Sequence, residues 1–141
     1  MSGPGKNTAP EATGHCLCGA VRYRVFAPLR PASACHCTQC RRQHGALGIY
    51  TGGLPVESVV IEGTEHLRWY QSSAAARRGF CGHCGSKLFW QPMDQRSIDI
   101  AVGSLDQPTG LSLARHIFVA DKGDYYEIVD DLPKSPGSKA A

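Results

Sequence analysis

The sequence lacks what a membrane or secreted protein needs. No apolar segment approaches the ~20 residues that cross a bilayer. Met1 to Thr13 carries a single cation and no apolar stretch, so it does not read as a signal peptide. The expectation is a soluble, cytoplasmic chain. Charge is also thinly spread: fifteen cations against twelve anions leave +3, and ten of the cations are Arg, none in a run longer than two. A nucleic-acid surface concentrates positive charge on one stripe or helix face. No nucleic-acid partner is expected, and the mild excess suits a small anion better. No stretch of three helical turns shows a period of about 3.6, and no segment repeats.

What remains is a chain of short strands. At 141 residues it suits one domain. Residues 1–13 and 134–141, rich in Gly, Pro, Ser, Thr, Ala and Lys, read as a disordered leader and tail around a single domain at 14–133. Val21, Tyr23 and Val25 alternate with Arg22 and Arg24, the two-residue period of a half-buried strand. Further strands are expected at Val59 to Ile61, Leu67 to Tyr70, Lys87 to Trp90, Ile98 to Val102, Ile117 to Val119 and Tyr125 to Val129. At most, Gln39 to Ala46 holds a short helical turn. The fold class is all-β, with little or no helix.

The chemistry lies in seven cysteines, grouped as Cys16 and Cys18, then Cys35, Cys37 and Cys40, then Cys81 and Cys84. In a reducing compartment such clusters bind metal or do chemistry more often than they form disulfides, and an odd count leaves no complete disulfide set. On a strand, residues i and i+2 share a face, so each C-x-C can reach one metal. C-x-x-C is zinc-ligand spacing, its turn bringing two sulfurs to about 2.3 Å from one ion. Gly19, Gly82 and Gly85 suit these turns. A structural zinc takes four ligands. The economical partition pairs one C-x-C with the C-x-x-C, and Cys35, Cys37 and Cys40 are the natural three for a second ion. Its fourth position is open to His44, or to water or substrate. His36 is disfavoured, because on an extended segment its side chain leaves the face opposite to Cys35 and Cys37.

The stretches Gly14 to Tyr23, Cys35 to Arg41, Arg78 to Ser86 with Leu88, Gly103 to Asp106 and His116 to Val119 together resemble the glutathione-dependent formaldehyde-activating enzyme family, also called the centromere-protein-V-like domain. The resemblance spans about residues 14 to 133. It implies a Mss4-like fold of several coiled antiparallel sheets stapled by zinc. It also implies two zinc ions per chain, with Cys16, Cys18, Cys81 and Cys84 on the structural one and Cys35, Cys37 and Cys40 on a second with an exchangeable position. Relatives commonly carry a Trp after the stretch that ends at Val119, where this chain has Tyr125 and Tyr126.

A divalent ion held by three thiolates is a net monoanion. It is a poor generator of hydroxide, and its soft ligand set suits a fourth sulfur. The implied partner is a small thiol, glutathione, added to formaldehyde to give S-(hydroxymethyl)glutathione by a carbon–sulfur lyase-type enzyme. Two other readings stay open: the same site acting on another thiol or aldehyde, and a non-catalytic zinc module. Cations near the cysteines, Arg41 foremost and then Arg42, Arg77 and Arg78, could balance charge or meet glutathione carboxylates. His44 could supply a proton to the developing alkoxide.

Overall fold

The computed structural model describes residues 9–138; residues 1–8 of the expected leader and 139–141 of the expected tail lie outside the described residues. Among the described residues ten strands and one α-helix, beside four single-turn 3-10 helices, follow in chain order: β1 (Ala12–His15), β2 (Arg22–Val25), β3 (Ala32–Cys35), α1 (Thr38–His44), β4 (Gly48–Pro55), β5 (Val59–Glu62), β6 (Leu67–Gln71), β7 (Ala76–Cys81), β8 (Lys87–Pro92), β9 (Ser97–Ala101) and β10 (Leu113–Ile117). They form a three-stranded sheet, β1-β2-β5, and a seven-stranded sheet, β10-β3-β4-β9-β8-β7-β6. Every strand pair is antiparallel except β10 with β3, which runs parallel. This is the all-β, nearly helix-free architecture expected of a Mss4-like chain. No helix among the described residues is long and apolar enough to cross a membrane.

Side-chain alternation builds the interior. On β2, Tyr23 and Val25 are buried while Arg22 and Arg24 face water, and on β9 the buried pair is Ile98 and Ile100. These meet Leu88 and Phe89 of β8 in one core shared by both sheets. Tyr23 packs edge-on against Phe89, ring centroids 5.4 Å apart at 65°. The Tyr23 hydroxyl lies 2.6 Å from Ser104 Oγ. Because Ser104 donates its own proton to the Ala101 carbonyl, Tyr23 is the donor here. A Cβ at Gly14 would stand 2.2 Å from that phenol oxygen, so β1 must carry glycine where it passes Tyr23.

The helix sits where a turn was expected, bounded by Cys37 as N-cap, whose sulfur accepts the Cys40 N–H, and by Gly45 at φ 87°. Three expectations need correction. The strand expected at Ile117 to Val119 is β10, which ends at Ile117 because Phe118 turns into the left-handed region at φ 55°. Tyr125 to Val129 forms no strand: the Tyr126 carbonyl accepts from Lys122 Nζ instead of from a sheet neighbour. The ordered chain is also wider than 14–133. Glu11 donates its N–H to Val25, Ala12 and Thr13 belong to β1, and the Ser135 N–H bonds the His116 carbonyl beside a Lys134 bridge to β10.

Phe89, 1% exposed, touches both sheets. Phe89→Ala is expected to cost about 3–5 kcal/mol through lost burial and the cavity left behind. Denaturant unfolding of the two proteins measures it.

Candidate functional site

The cysteines converge into two groups, in each of which every sulfur lies within 4.8 Å of the others: Cys16, Cys18, Cys81 and Cys84, and Cys35, Cys37 and Cys40. None forms a disulfide.

The four-sulfur group joins the two sheets. Cys16 and Cys18 occupy the turn after β1; Cys81 ends β7 and Cys84 lies in the turn to β8. Both turns are knuckles of one design. Gly19 donates to the Cys16 carbonyl and Gly85 to the Cys81 carbonyl, each glycine at φ 82°. Gly82 does not share that conformation. It is required for a different reason, since a Cβ there would meet Arg68 Cγ at 2.8 Å. Nor do Cys16 and Cys18 share a strand face, because both lie beyond β1 and the turn aims them. The sulfurs of Cys16 and Cys18 are 3.6 Å apart, and those of Cys18 and Cys81 3.9 Å. Four sulfurs at tetrahedral corners, about 2.3 Å from a central zinc, stand about 3.8 Å apart. Backbone N–H groups of Val21, His83 and Cys84 point at the sulfurs of Cys16 and Cys81, as suits thiolates. The donor set fits a closed metal site.

The three-sulfur group comes from one short segment. Cys35 ends β3, Cys37 caps α1 and Cys40 lies in its first turn, so strand end and helix start, not one extended strand, bring the sulfurs together. Neighbouring Cys35 and Cys40, with the N–H groups of Cys40 and Gln39, hold the Cys37 thiol far below its ordinary range. The same crowding, with Cys37 first, pushes Cys35 far up. Three thiols this close cannot all ionise unless a cation joins them, so the donor chemistry calls for a metal here too.

These three sulfurs open onto a cleft of ≈ 650 Å³, lined also by Arg30, Tyr50, Arg78, Asp99 and Arg115. Arg78 is the cation on the cluster. It is 5% exposed, and both terminal nitrogens lie 3.7 Å from Cys40 Sγ. Burial opposes its charge, but attraction to the Cys40 sulfur, with Tyr50 and Cys37, leaves its pKa raised. Arg115 is tied to Ser33 Oγ at 2.7 Å. Asp99 accepts the Gly53 N–H at 2.8 Å, and burial pushes its carboxyl up. Phe118, in its left-handed conformation, stands on the rim.

The expected site residues divide accordingly. All seven cysteines fall into the two groups. Arg41, expected as the leading cation, is in the last turn of α1 and does not line the cleft. His44 does not turn to the sulfurs: its Nε2 lies 2.7 Å from the Tyr50 hydroxyl. Burial and then Arg78 push the His44 imidazole down to about 4. His36, disfavoured as a ligand, indeed points away, with its ring 2.8 Å from His116. Tyr50, Arg30, Asp99 and Arg115 carried no motif. Arg78 was legible to the extent that alternation from Ala76 places it on the buried face of β7.

If His44 held a metal, removing its ring would release one. Because its ring is committed to Tyr50, His44→Ala is expected to leave the metal content per chain unchanged. Elemental analysis of the two purified proteins is the check, and loss of one ion would make His44 a ligand.

Residues 11–121 match the family model described as glutathione-dependent formaldehyde-activating enzyme. A protein of Halomonas elongata that carries the family's name is 31% identical over 125 residues, 82% of this chain and 79% of its own length. An uncharacterized lyase of Schizosaccharomyces pombe is 30% identical over 81 residues, 57% of this chain and 58% of its own. Among solved structures, a Rhodobacter sphaeroides protein superposes with a TM-score of 0.54 at 27% identity, covering 67% of this chain and 88% of the other. The chain belongs to the glutathione-dependent formaldehyde-activating enzyme family.

Proposed function

We propose that this chain is a zinc-dependent carbon–sulfur lyase-type enzyme that joins glutathione to formaldehyde as S-(hydroxymethyl)glutathione. Cys16, Cys18, Cys81 and Cys84 would hold a structural zinc, and Cys35, Cys37 and Cys40 a second zinc with a position left for the substrate sulfur. The observation that carries the reading is the cleft: three sulfurs open into a cavity that also presents three arginines.

Cys35, Cys37 and Cys40 would hold the second zinc, which would supply Lewis acidity to lower the pKa of a small thiol, a group that when free has a pKa of roughly 8.5 and is mostly protonated near neutral pH. The chain's own groups do the rest. Arg78 offsets the negative charge gathered by the sulfurs. Arg30 and Arg115 suit the two carboxylates of glutathione, and Asp99 suits its ammonium group. As the new carbon–sulfur bond forms, the carbonyl π pair of formaldehyde moves to oxygen, which must then take a proton. Tyr50 is the group in the cleft able to hold one there. Burial pushes its phenol well above the ordinary range, so Tyr50 keeps its proton on Oη as a hydrogen-bond donor to that oxygen, with His44 Nε2 beside it, and the proton that completes the hydroxymethyl group comes from water, balancing the one the thiol gave up. Arg41 has no part in this scheme, and His44 acts only through Tyr50.

Metal substitution separates the two sites. The purified protein is expected to hold two zinc ions. Cys84→Ser is expected to aggregate or unfold, because structural zinc contributes apparent free energy of order 10–16 kcal/mol. Cys40→Ser is expected to stay folded with one zinc. Circular dichroism and elemental analysis read both, and equal unfolding would make the second site structural.

Substrate choice is read by calorimetry and by exchange NMR. Arg115→Gln is expected to weaken glutathione binding about tenfold or more, the scale of one lost charged hydrogen bond, and to leave 2-mercaptoethanol unaffected. Exchange between glutathione and its hydroxymethyl adduct should be faster with protein than without. A rate equal to that of the free solution would refute catalysis.

A further inference from the structure

Four side chains that take no part in the reaction above form an unbroken line behind the second cysteine cluster. The Tyr126 hydroxyl is 2.6 Å from His36 Nδ1. His36 Nε2 is 2.8 Å from His116 Nδ1. His116 Nε2 is 2.9 and 3.2 Å from the two carboxylate oxygens of Asp130. With both imidazoles neutral, the line has one consistent direction. The carboxylate only accepts, so His116 donates from Nε2 and its Nδ1 is left to accept. His36 Nε2 therefore donates to it, which leaves His36 Nδ1 to accept the Tyr126 O–H. Every ring nitrogen is used once, in a setting where both rings are almost fully buried.

Each end of the line is anchored in a different part of the chain. Asp130 also accepts the Leu132 N–H at 3.0 Å and lies 3.5 Å from Lys134 Nζ. Lys134 in turn donates to the Asp130 and Leu132 carbonyls and bridges to His116 on β10. At the other end, Tyr126 stacks on the His36 ring, centroids 5.6 Å apart at 26°. The His36 backbone N–H bonds the Ile117 carbonyl, and Ile117 pairs with Cys35. His36 is the residue between Cys35 and Cys37, so whatever fixes its ring fixes the backbone from which two of the three sulfurs project.

We propose that Tyr126, His36, His116 and Asp130 form a positioning chain for the Cys35–Cys37–Cys40 cluster. By holding His36 against β10, residues 126–134 set how firmly that cluster keeps its metal. The assignment rests on the metal reading of the cluster and is independent of which thiol or aldehyde is used. It also gives Tyr126, which does not line the cleft, a task at the site.

Metal release tests this. The zinc-loaded protein is mixed with a chromogenic chelator, and release from the three-sulfur and four-sulfur groups is followed as a faster and a slower phase. Cys40→Ser, which should lack the faster phase, assigns them. Tyr126→Phe removes the hydroxyl and keeps the ring; Asp130→Ala removes the terminal acceptor. Both are expected to speed the fast phase about tenfold, the scale on which outer partners of metal ligands act, with the slow phase unchanged. Asp130→Asn keeps an acceptor oxygen for His116 and is expected to release zinc at close to the parent rate. If the fast phase is unchanged in Tyr126→Phe and Asp130→Ala, or if both phases quicken together, the positioning role is overturned and the line is packing alone. A protein that takes up only one zinc overturns the metal reading first, and this role with it.

Discussion

Four sulfurs must share a space a few ångströms wide where a turn from one sheet meets a turn from the other. Cys16 and Cys18 arrive from the three-stranded sheet, and Cys81 and Cys84 from the seven-stranded one. As thiolates they would repel across these distances, and no disulfide relieves them, so the arrangement needs a cation to be stable. The rest of the interior depends on that junction. The Tyr23–Phe89 contact, the glycine at position 14 and the Tyr23–Ser104 hydrogen bond all require the small sheet to lie on the large one at a fixed register.

The second cluster is built differently. Its three sulfurs come from a single strand-to-helix corner, in a mostly apolar setting that includes Tyr50 and Trp90 and into which Arg30, Arg78 and Arg115 bring charge. Arg78 is the clearest sign of the difference. A buried guanidinium with its Nε unpartnered is costly to fold around, and its two terminal nitrogens are spent on Cys40 and Gln39. Such an expense is characteristic of a site kept for chemistry.

Much of this was legible in the sequence, for reasons that can be named. β2 and β9 announce themselves by the alternation of apolar and polar residues, and β6 and β8 by their aromatic content. The cysteine grouping was legible because ligand spacing is a local property of turns. What escaped was written in small or charged residues. β3 is Ala-Ser-Ala-Cys, β4 is interrupted by Gly52 and Gly53 at a bulge, and β7 carries Arg77 and Arg78. Their strand character comes from central positions in the sheet, a tertiary cause that overrides propensity. Tyr125 to Val129 failed in the opposite sense: the pattern suits a strand, but its tyrosines are used elsewhere, Tyr126 on His36 and Tyr125 on the Gly45 carbonyl. Arg41 was favoured over Arg78 because it is adjacent in sequence to Cys40, whereas what brings a cation to the sulfur is the pairing of β7 within the sheet.

The parallel pairing of β10 with β3 has a consequence for how the chain is made. Parallel neighbours need a long connection, and here Cys35 pairs with Ile117. Synthesis proceeds from the N-terminus, and contacts distant in sequence form late. Cys35, Cys37 and Cys40 therefore leave the ribosome well before the strand that flanks them exists. For that interval their corner has β4 on one side and lacks β10 on the other. The three-sulfur corner thus waits on the C-terminal part of the chain for the last strand beside it.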